Sequence, residues 1–218
     1  SSRPGVARIE IIRCNYRGEQ ISTIEPKDLP PDFSDFSPHR IVLRGNLFYL
    51  ANTNDMKVVV IDDTGVFQKG FDVARLIESD LTEKEKEKEK QDYGMAGFSV
   101  DRDGNVLLAN SSMARVFRLS LDGELRSFGV RGSTAGKFGV PVDVIADATG
   151  NYLLVSDVLR CVILVFDKDF RFQSEFGIRG LKPDNLIGPT YMAVDAKNRV
   201  YVSQLRNRGV NVYQISGS

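Results

Sequence analysis

The sequence predicts an all-β fold, a β-propeller of four-stranded antiparallel blades. Three observations predict it. A turn led by Asp and closed by Gly or Asn recurs as VDRDGN at 100–105, ADATGN at 146–151 and VDAKNR at 194–199, with a shorter relative, LRGN, at 43–46. With Gly45, Gly104, Gly150 and Asn198 as marks, the repeats are 59, 46 and 48 residues apart, and the longest interval holds an insertion. Fixed periods in this range mark arrays of one supersecondary unit. Finally, β-branched and aromatic residues fill the runs between turns, while Gly, Asn and Asp fill the turns, where positive φ or a bond to the local backbone is needed.

In chain order, RIEIIRC at 8–14 and EQISTI at 19–24, joined by Asn15-Tyr16-Arg17-Gly18, read as a half blade over 8–25. Blades follow at about 36–70, 97–128, 139–176 and 189–215. Behind each turn mark lies a buried strand: LFYLAN (47–52), VLLAN (106–110), YLLVSD (152–157) and VYVSQ (200–204). A third strand comes next, KVVVID, RVFRL, CVILVFD or VNVYQI, and then a fourth such as ELRSF (124–128) or RFQSEF (171–176). A meander of roughly 40 to 50 residues cannot bury both faces alone, so its units must pack face to face about an axis. The expectation is a single propeller domain over 1–218 with about five blade units. Both chain ends carry a third-type strand, so strand exchange would leave one surplus, and the chain reads as a fragment or as a ring lacking its opening blade. The charged insertion at 71–96, with EKEKEKEK at 83–90, puts like charges four apart and is expected to be a solvated, partly helical excursion.

Composition excludes more than it assigns. Lys plus Arg equals Asp plus Glu at 29 each, so no overall field draws the protein to nucleic acid or anionic lipid. Cys14 and Cys161 lack the spacing of zinc or redox motifs. No apolar run approaches the roughly 20 residues of a membrane span. The oligomeric state is left open. The chain starts at Ser1, and a leader removed before it would make the protein secreted or periplasmic. Gly132-Ser133-Thr134-Ala135-Gly136-Lys137 is one residue short of a P-loop, has Phe138 where a magnesium-binding Ser or Thr belongs, and meets Pro141 before a helix could form. His39 is the sole histidine, so a multi-His zinc site cannot be built, and no Ser or Cys lies in a nucleophile-elbow pattern with a spare His to serve as its base. Asn110-Ser111-Ser112 matches a glycosylation sequon, though the blade repeat already accounts for Asn110.

Gly136-Lys137-Phe138, VDVIADATGNYLLVSDVLRCVILVFDKDF at 142–170 and Phe176-Gly177 together resemble the NHL repeat. The similarity is good over 97–177, fair over 189–215 and weak over 36–70. Asn110 and Gln204 depart from the Asp found at 157, and SSMAR, DVLR and RNRG stand where Asn-x-Arg is usual. The resemblance implies a propeller, most often six-bladed, that serves as a binding platform.

The expected function is a non-catalytic binding or scaffold module whose loop face holds a protein or peptide, with no catalytic residue, metal or cofactor. The loops at one end of the blades carry Lys57, Arg115, Arg131, Lys137, Arg160, Arg179, Lys182, Arg206 and Arg208. Arg115 and Arg160 are expected to pair with the Asn or Asp that ends the second strand. Arg131, Arg179 and Lys182 have no such repeat-bound partner, so the partner-binding set is Arg131, Lys137, Arg179, Lys182 and Arg206. One alternative is a propeller that binds single-stranded RNA on this basic face. Another is a lyase- or lactonase-type enzyme whose metal would be held by Asp101, Asp147 and Asp195; those three are read instead as caps of their own turns.

Overall fold

The computed structural model describes residues 9–80, 94–206 and 208–215; Arg8 and the EKEKEKEK run lie outside the described residues. The architecture is the expected all-β propeller of antiparallel blades. Among the described residues the strands form a two-stranded sheet, three four-stranded sheets and a three-stranded sheet, each a meander in chain order. The chain divides into two compact units, 1–80 and 81–218.

In the first unit, β1 (Ile11–Cys14) pairs with β2 (Gln20–Ile24), and the Asn15 side chain closes their turn by accepting the Arg17 and Glu19 amides. The four-stranded sheet runs β3 (Arg40–Arg44), β4 (Leu47–Asn52), β5 (Lys57–Asp62) and β6 (Phe67–Asp72). Ile24, Phe33, Phe36, Phe48, Leu50, Val59 and Ile61 form one apolar cluster in this unit. Gly65, at φ 91°, leaves no room for a side chain: a Cβ there would stand 2.1 Å from the Glu25 carbonyl oxygen. That close approach lets the Gly65 carbonyl accept the Lys27 amide and tie the segment after β2 to the β5–β6 turn. At the end of β6 the Asp72 carboxylate accepts the Arg75 amide and starts helix α1 (Val73–Asp80), whose Val73 and Ile77 are buried. Helix is thus found inside the insertion, where some was expected.

The second unit holds two complete blades, β7 (Gly97–Val100), β8 (Val106–Asn110), β9 (Arg115–Leu119), β10 (Leu125–Phe128) and β11 (Pro141–Ala146), β12 (Tyr152–Asp157), β13 (Val162–Asp167), β14 (Phe172–Phe176), followed by β15 (Pro189–Val194), β16 (Arg199–Gln204) and β17 (Val210–Gln214). The first strands of successive blades are tied directly. Ser99 Oγ donates to the Val144 carbonyl at 2.6 Å, and the Met192 amide donates to the buried Asp143 carboxylate at 2.7 Å. Between blades lie two apolar layers. Leu107, Val116, Phe138, Val144, Val155 and Leu164 belong to one, and Ile145, Leu154, Ile163, Met192, Val200 and Val202 to the next.

The recurrent Asp turns explain their own sequence. Asp101 Oδ1 accepts the Asp103 and Asn105 amides, Asp147 those of Thr149 and Tyr152, and Asp195 those of Lys197 and Arg199. Burial disfavours the charge on Asp147, but bonds from Thr149, Tyr152 and Asn198 outweigh it and hold the carboxyl below the usual range. The Arg199 amide and guanidinium bring Asp195 from the ordinary 3.8 down to about 2. Because the folded value lies below the unfolded one, the stabilisation is complete above the unfolded value and is lost as pH falls through the folded one. The melting-temperature gap between the parent and Asp195→Asn should therefore be full at about pH 5 and close as pH falls from about 4 to 2. A gap constant across that range would show that the carboxylate does not act through its charge.

Candidate functional site

At the end of each blade opposite these Asp turns, the loop leading into a blade meets the loop joining its second and third strands. The two are held together by the polar residue that ends the second strand. Asp157, fully buried, accepts the Gly139 amide at 2.6 Å and the Val140 amide at 3.1 Å from the entry segment, and the Leu159 and Arg160 amides from its own loop. Gln204 takes the Ile187 amide at 2.7 Å, and Asn110 donates to the Gly94 carbonyl while accepting the Met113 amide. The residues that depart from Asp at this position therefore keep its structural task. Asn110 is buried in that task, which is inconsistent with a glycosylated side chain.

The entry loops of the last two blades share one geometry. Arg131 bridges to Phe138 and Arg179 to Leu186 in parallel pairing. In the first loop, Gly132 donates to the Phe138 carbonyl and Phe138 donates to that of Val130. The stretch that resembles a P-loop is thus a closed entry loop joining two strands.

The partner-binding set expected from the sequence, Arg131, Lys137, Arg179, Lys182 and Arg206, falls in loops of the second unit, in different roles, whereas Lys57 lies in the first unit and donates to the Asp32 carbonyl at 3.1 Å. Arg131 Nη2 donates to the Ser112 carbonyl at 2.5 Å and the Ser111 carbonyl at 3.3 Å, and Nη1 to Gly139 O at 3.2 Å. Arg179 Nη2 donates to the Leu159 carbonyl at 3.3 Å. Each entry-loop arginine thus grips the main chain of the preceding blade, which corrects the expectation that these two lack repeat-bound partners. Arg160 is corrected as well. It pairs with Glu175 at 2.6 Å and donates to the Lys137 carbonyl at 2.8 Å, because the Asp157 carboxylate is already filled by amides. The stem of Lys137 covers Gly132, where an added Cβ would stand 2.5 Å from Lys137 Cδ. The Lys182 carbonyl accepts a bond from Arg208, and Arg206 adopts a left-handed backbone at φ 59°.

Two cavities open among these loops, one at each of two successive blade junctions. The first, about 560 Å³, is lined by Arg131, Gly132, Ser133, Gly139, Leu159 and Arg160. The second, about 340 Å³, has Arg179, Gly180 and Arg206 in its wall with Cys161, Leu181, Ile187 and Leu205. Arg131 and Gly132 in one correspond to Arg179 and Gly180 in the other. Thus the structure brings Arg131 to one cavity and Arg179 and Arg206 to the next, while Lys137 and Lys182 line neither. Sequence reasoning missed the cavity role of Arg160 and Leu159, since nothing in a linear pattern shows which loop flanks which.

Asp101, Asp147 and Asp195 cap their turns, as the repeat predicts. Their oxygens take up turn amides and, beyond the turns, Arg118 at Asp101 and Asn198 at Asp147, and among the described residues no group of three acidic, His or Cys side chains could hold an ion. His39 is exposed, 3.4 Å from Thr53 Oγ1. Among the described residues no helix is long and apolar enough to cross a membrane.

Comparison with protein-family models and with curated proteins finds no match. Solved structures do match. A streptogramin B lyase is 13% identical at a TM-score of 0.60, with 95% of this chain and 62% of that chain covered. Virginiamycin B lyase from Staphylococcus aureus is 14% identical at 0.60, covering 97% and 64%. A 6-phosphogluconolactonase candidate from Bacteroides uniformis is 13% identical at 0.60, covering 97% and 61%. The chain spans less than two thirds of the length of each. At such identity the likeness establishes the fold, and it does not single out the NHL family. It also corrects the expectation of a non-catalytic binding module that is not an enzyme, since these propellers bear the names of a lyase and a lactonase. The physical reason is that a propeller gathers its site from loops of several blades, so the lack of a contiguous catalytic motif carries little weight.

Proposed function

We propose that the chain is the propeller portion of an enzyme of the lyase or lactonase kind, working on a small molecule at the loop face described above. The observation that carries this reading is the likeness to lyase and lactonase propellers across at least 95% of the chain. A cavity of about 560 Å³ on the loop face supports it, a size within the roughly 300–1,000 Å³ of small-molecule sites. Elimination beside a carbonyl and opening of a lactone both build negative charge on an oxygen, and donors fixed in advance stabilise such charge. Arg160 is fixed in that way, by Glu175 and by the Lys137 carbonyl, at the wall of this cavity. Within the same reading, Gly136-Lys137-Phe138 and the Asp turns support an NHL-like blade repeat.

The test is incubation of the purified protein with simple lactones and, separately, with quinupristin, the compound bound to an inactive lyase variant of the same fold. Products are read by mass spectrometry. An elimination product keeps the mass of the substrate, whereas hydrolysis adds one water. Turnover of either kind is the expected result, and complete recovery of every compound, with an authentic lyase and lactonase active alongside, would overturn the reading.

A further inference from the structure

We infer that the cavity between the β10–β11 entry loop and the β12–β13 loop takes a small organic monoanion, a carboxylate joined to an apolar body. The inference deepens the enzymatic reading by naming a substrate class, and rests on that reading for the ligand's role though not for its binding.

Charge accounting within the cavity carries the argument. Two guanidinium groups stand in its wall, and Glu175 neutralises only one of them, that of Arg160. The other belongs to Arg131, whose bonds all go to neutral carbonyls, those of Ser111, Ser112 and Gly139. Among the described residues no carboxylate pairs with Arg131. Three bonds leave two of the five N–H donors that a guanidinium carries, so the group retains both its charge and donors for an incoming acceptor. Gly132 and Gly139 let neighbouring side chains lie directly on the backbone of the wall: the Lys137 stem covers Gly132, and an added Cβ at Gly139 would crowd Arg160 and Leu159 at 3.1 and 3.3 Å. Leu159, exposed, supplies an apolar wall, and Arg179 holds its main-chain carbonyl. A carboxylate suits a guanidinium better than any neutral acceptor does, and the remaining apolar surface suits a hydrocarbon body.

The neighbouring cavity serves as an internal comparison. Its frame is the same, yet Leu181 stands where Ser133 stands in the first, and Leu181, Ile187 and Leu205 dominate its lining. The repeat supplies the frame and two arginines to each wall, Arg179 and Arg206 in the second, and the polar side chain at Ser133, in place of an apolar lining, is particular to the first cavity.

NMR titration of the intact protein with 3-phenylpropionate, and in parallel with 3-phenylpropionamide, tests the proposal. The carboxylate is expected to shift amides of residues 130–140 and 158–160 saturably, and to bind at least about tenfold more tightly than the uncharged amide. Arg131→Met should abolish that preference. Because Arg131 also ties two blades together, Ser133→Asp provides the second variant: Ser133 is exposed, and the added charge should weaken carboxylate binding about tenfold while the melting temperature stays the same. Equal binding of acid and amide, or unchanged carboxylate binding in a folded Ser133→Asp, would overturn the inference. Carboxylate binding without turnover of any lactone or of quinupristin would sink the enzymatic reading alone. Turnover that is indifferent to Ser133→Asp, with no acid preference, would sink this inference alone.

Discussion

Replacing Asp157 with Ala is expected to lower stability in urea unfolding by about 4 kcal/mol, among the largest effects of any single substitution here. The carboxylate is fully buried and accepts four backbone amides, two from the entry segment and two from its own loop. An alanine leaves those donors without acceptors, the Gly139 amide buried and the others partly so, and each unsatisfied buried donor costs about 1–3 kcal/mol. The sum falls short of full additivity because the loop can relax. Asp157→Asn keeps one acceptor oxygen but turns an amide toward the remaining N–H groups, so it should fall between Ala and the parent. If Ala and Asn both unfold with the parent's midpoint, the carboxylate is not what joins the two loops.

Phe138→Ala should cost about 3–5 kcal/mol, through lost burial and the cavity left behind. The ring is fully buried between blades, with the rings of Phe128 and Phe166 at centroid distances of 6.0 and 5.6 Å, and Phe128 stacks in turn on Phe170 at 4.6 Å. Gly129 makes room for it, since an added Cβ there would stand 2.4 Å from the Phe138 ring. Phe138→Leu, which keeps most of the apolar volume, should cost clearly less. Equal midpoints for Phe138→Ala and the parent would mean that the aromatic layer does not join these blades.

The fold was legible because its signals are local and repeated. The turn at Asp101 needs a carboxylate to gather amides two and four residues on, Asp195 does the same, and Asp147 gathers those two and five residues on, so a like requirement writes similar letters again. Asp157 was visible as a repeated position, and Asn110 and Gln204 looked like departures only because the sequence does not show that an amide side chain can meet the same entry segment. The arginines were misread for a deeper reason. Arg131 and Arg179 bond to carbonyls, which every residue carries, so no partner residue marks the contact. Glu175, the partner of Arg160, sits on a different strand fifteen residues away, and only the β13–β14 pairing brings it near. The cavities were invisible for the same reason, being formed between loops that lie apart in the sequence.

The grip of Arg131 and Arg179 on main-chain oxygens also bears on how such a chain evolves. A junction that recognises side chains obliges neighbouring repeats to change in concert, whereas one that recognises peptide carbonyls accepts any neighbour with the right backbone course. Each of these two blades therefore brings its own adhesive to the preceding one. A copied or transplanted blade can seat itself at once, leaving the loop residues around it, such as Ser133 and Leu181, free to diverge toward new ligands.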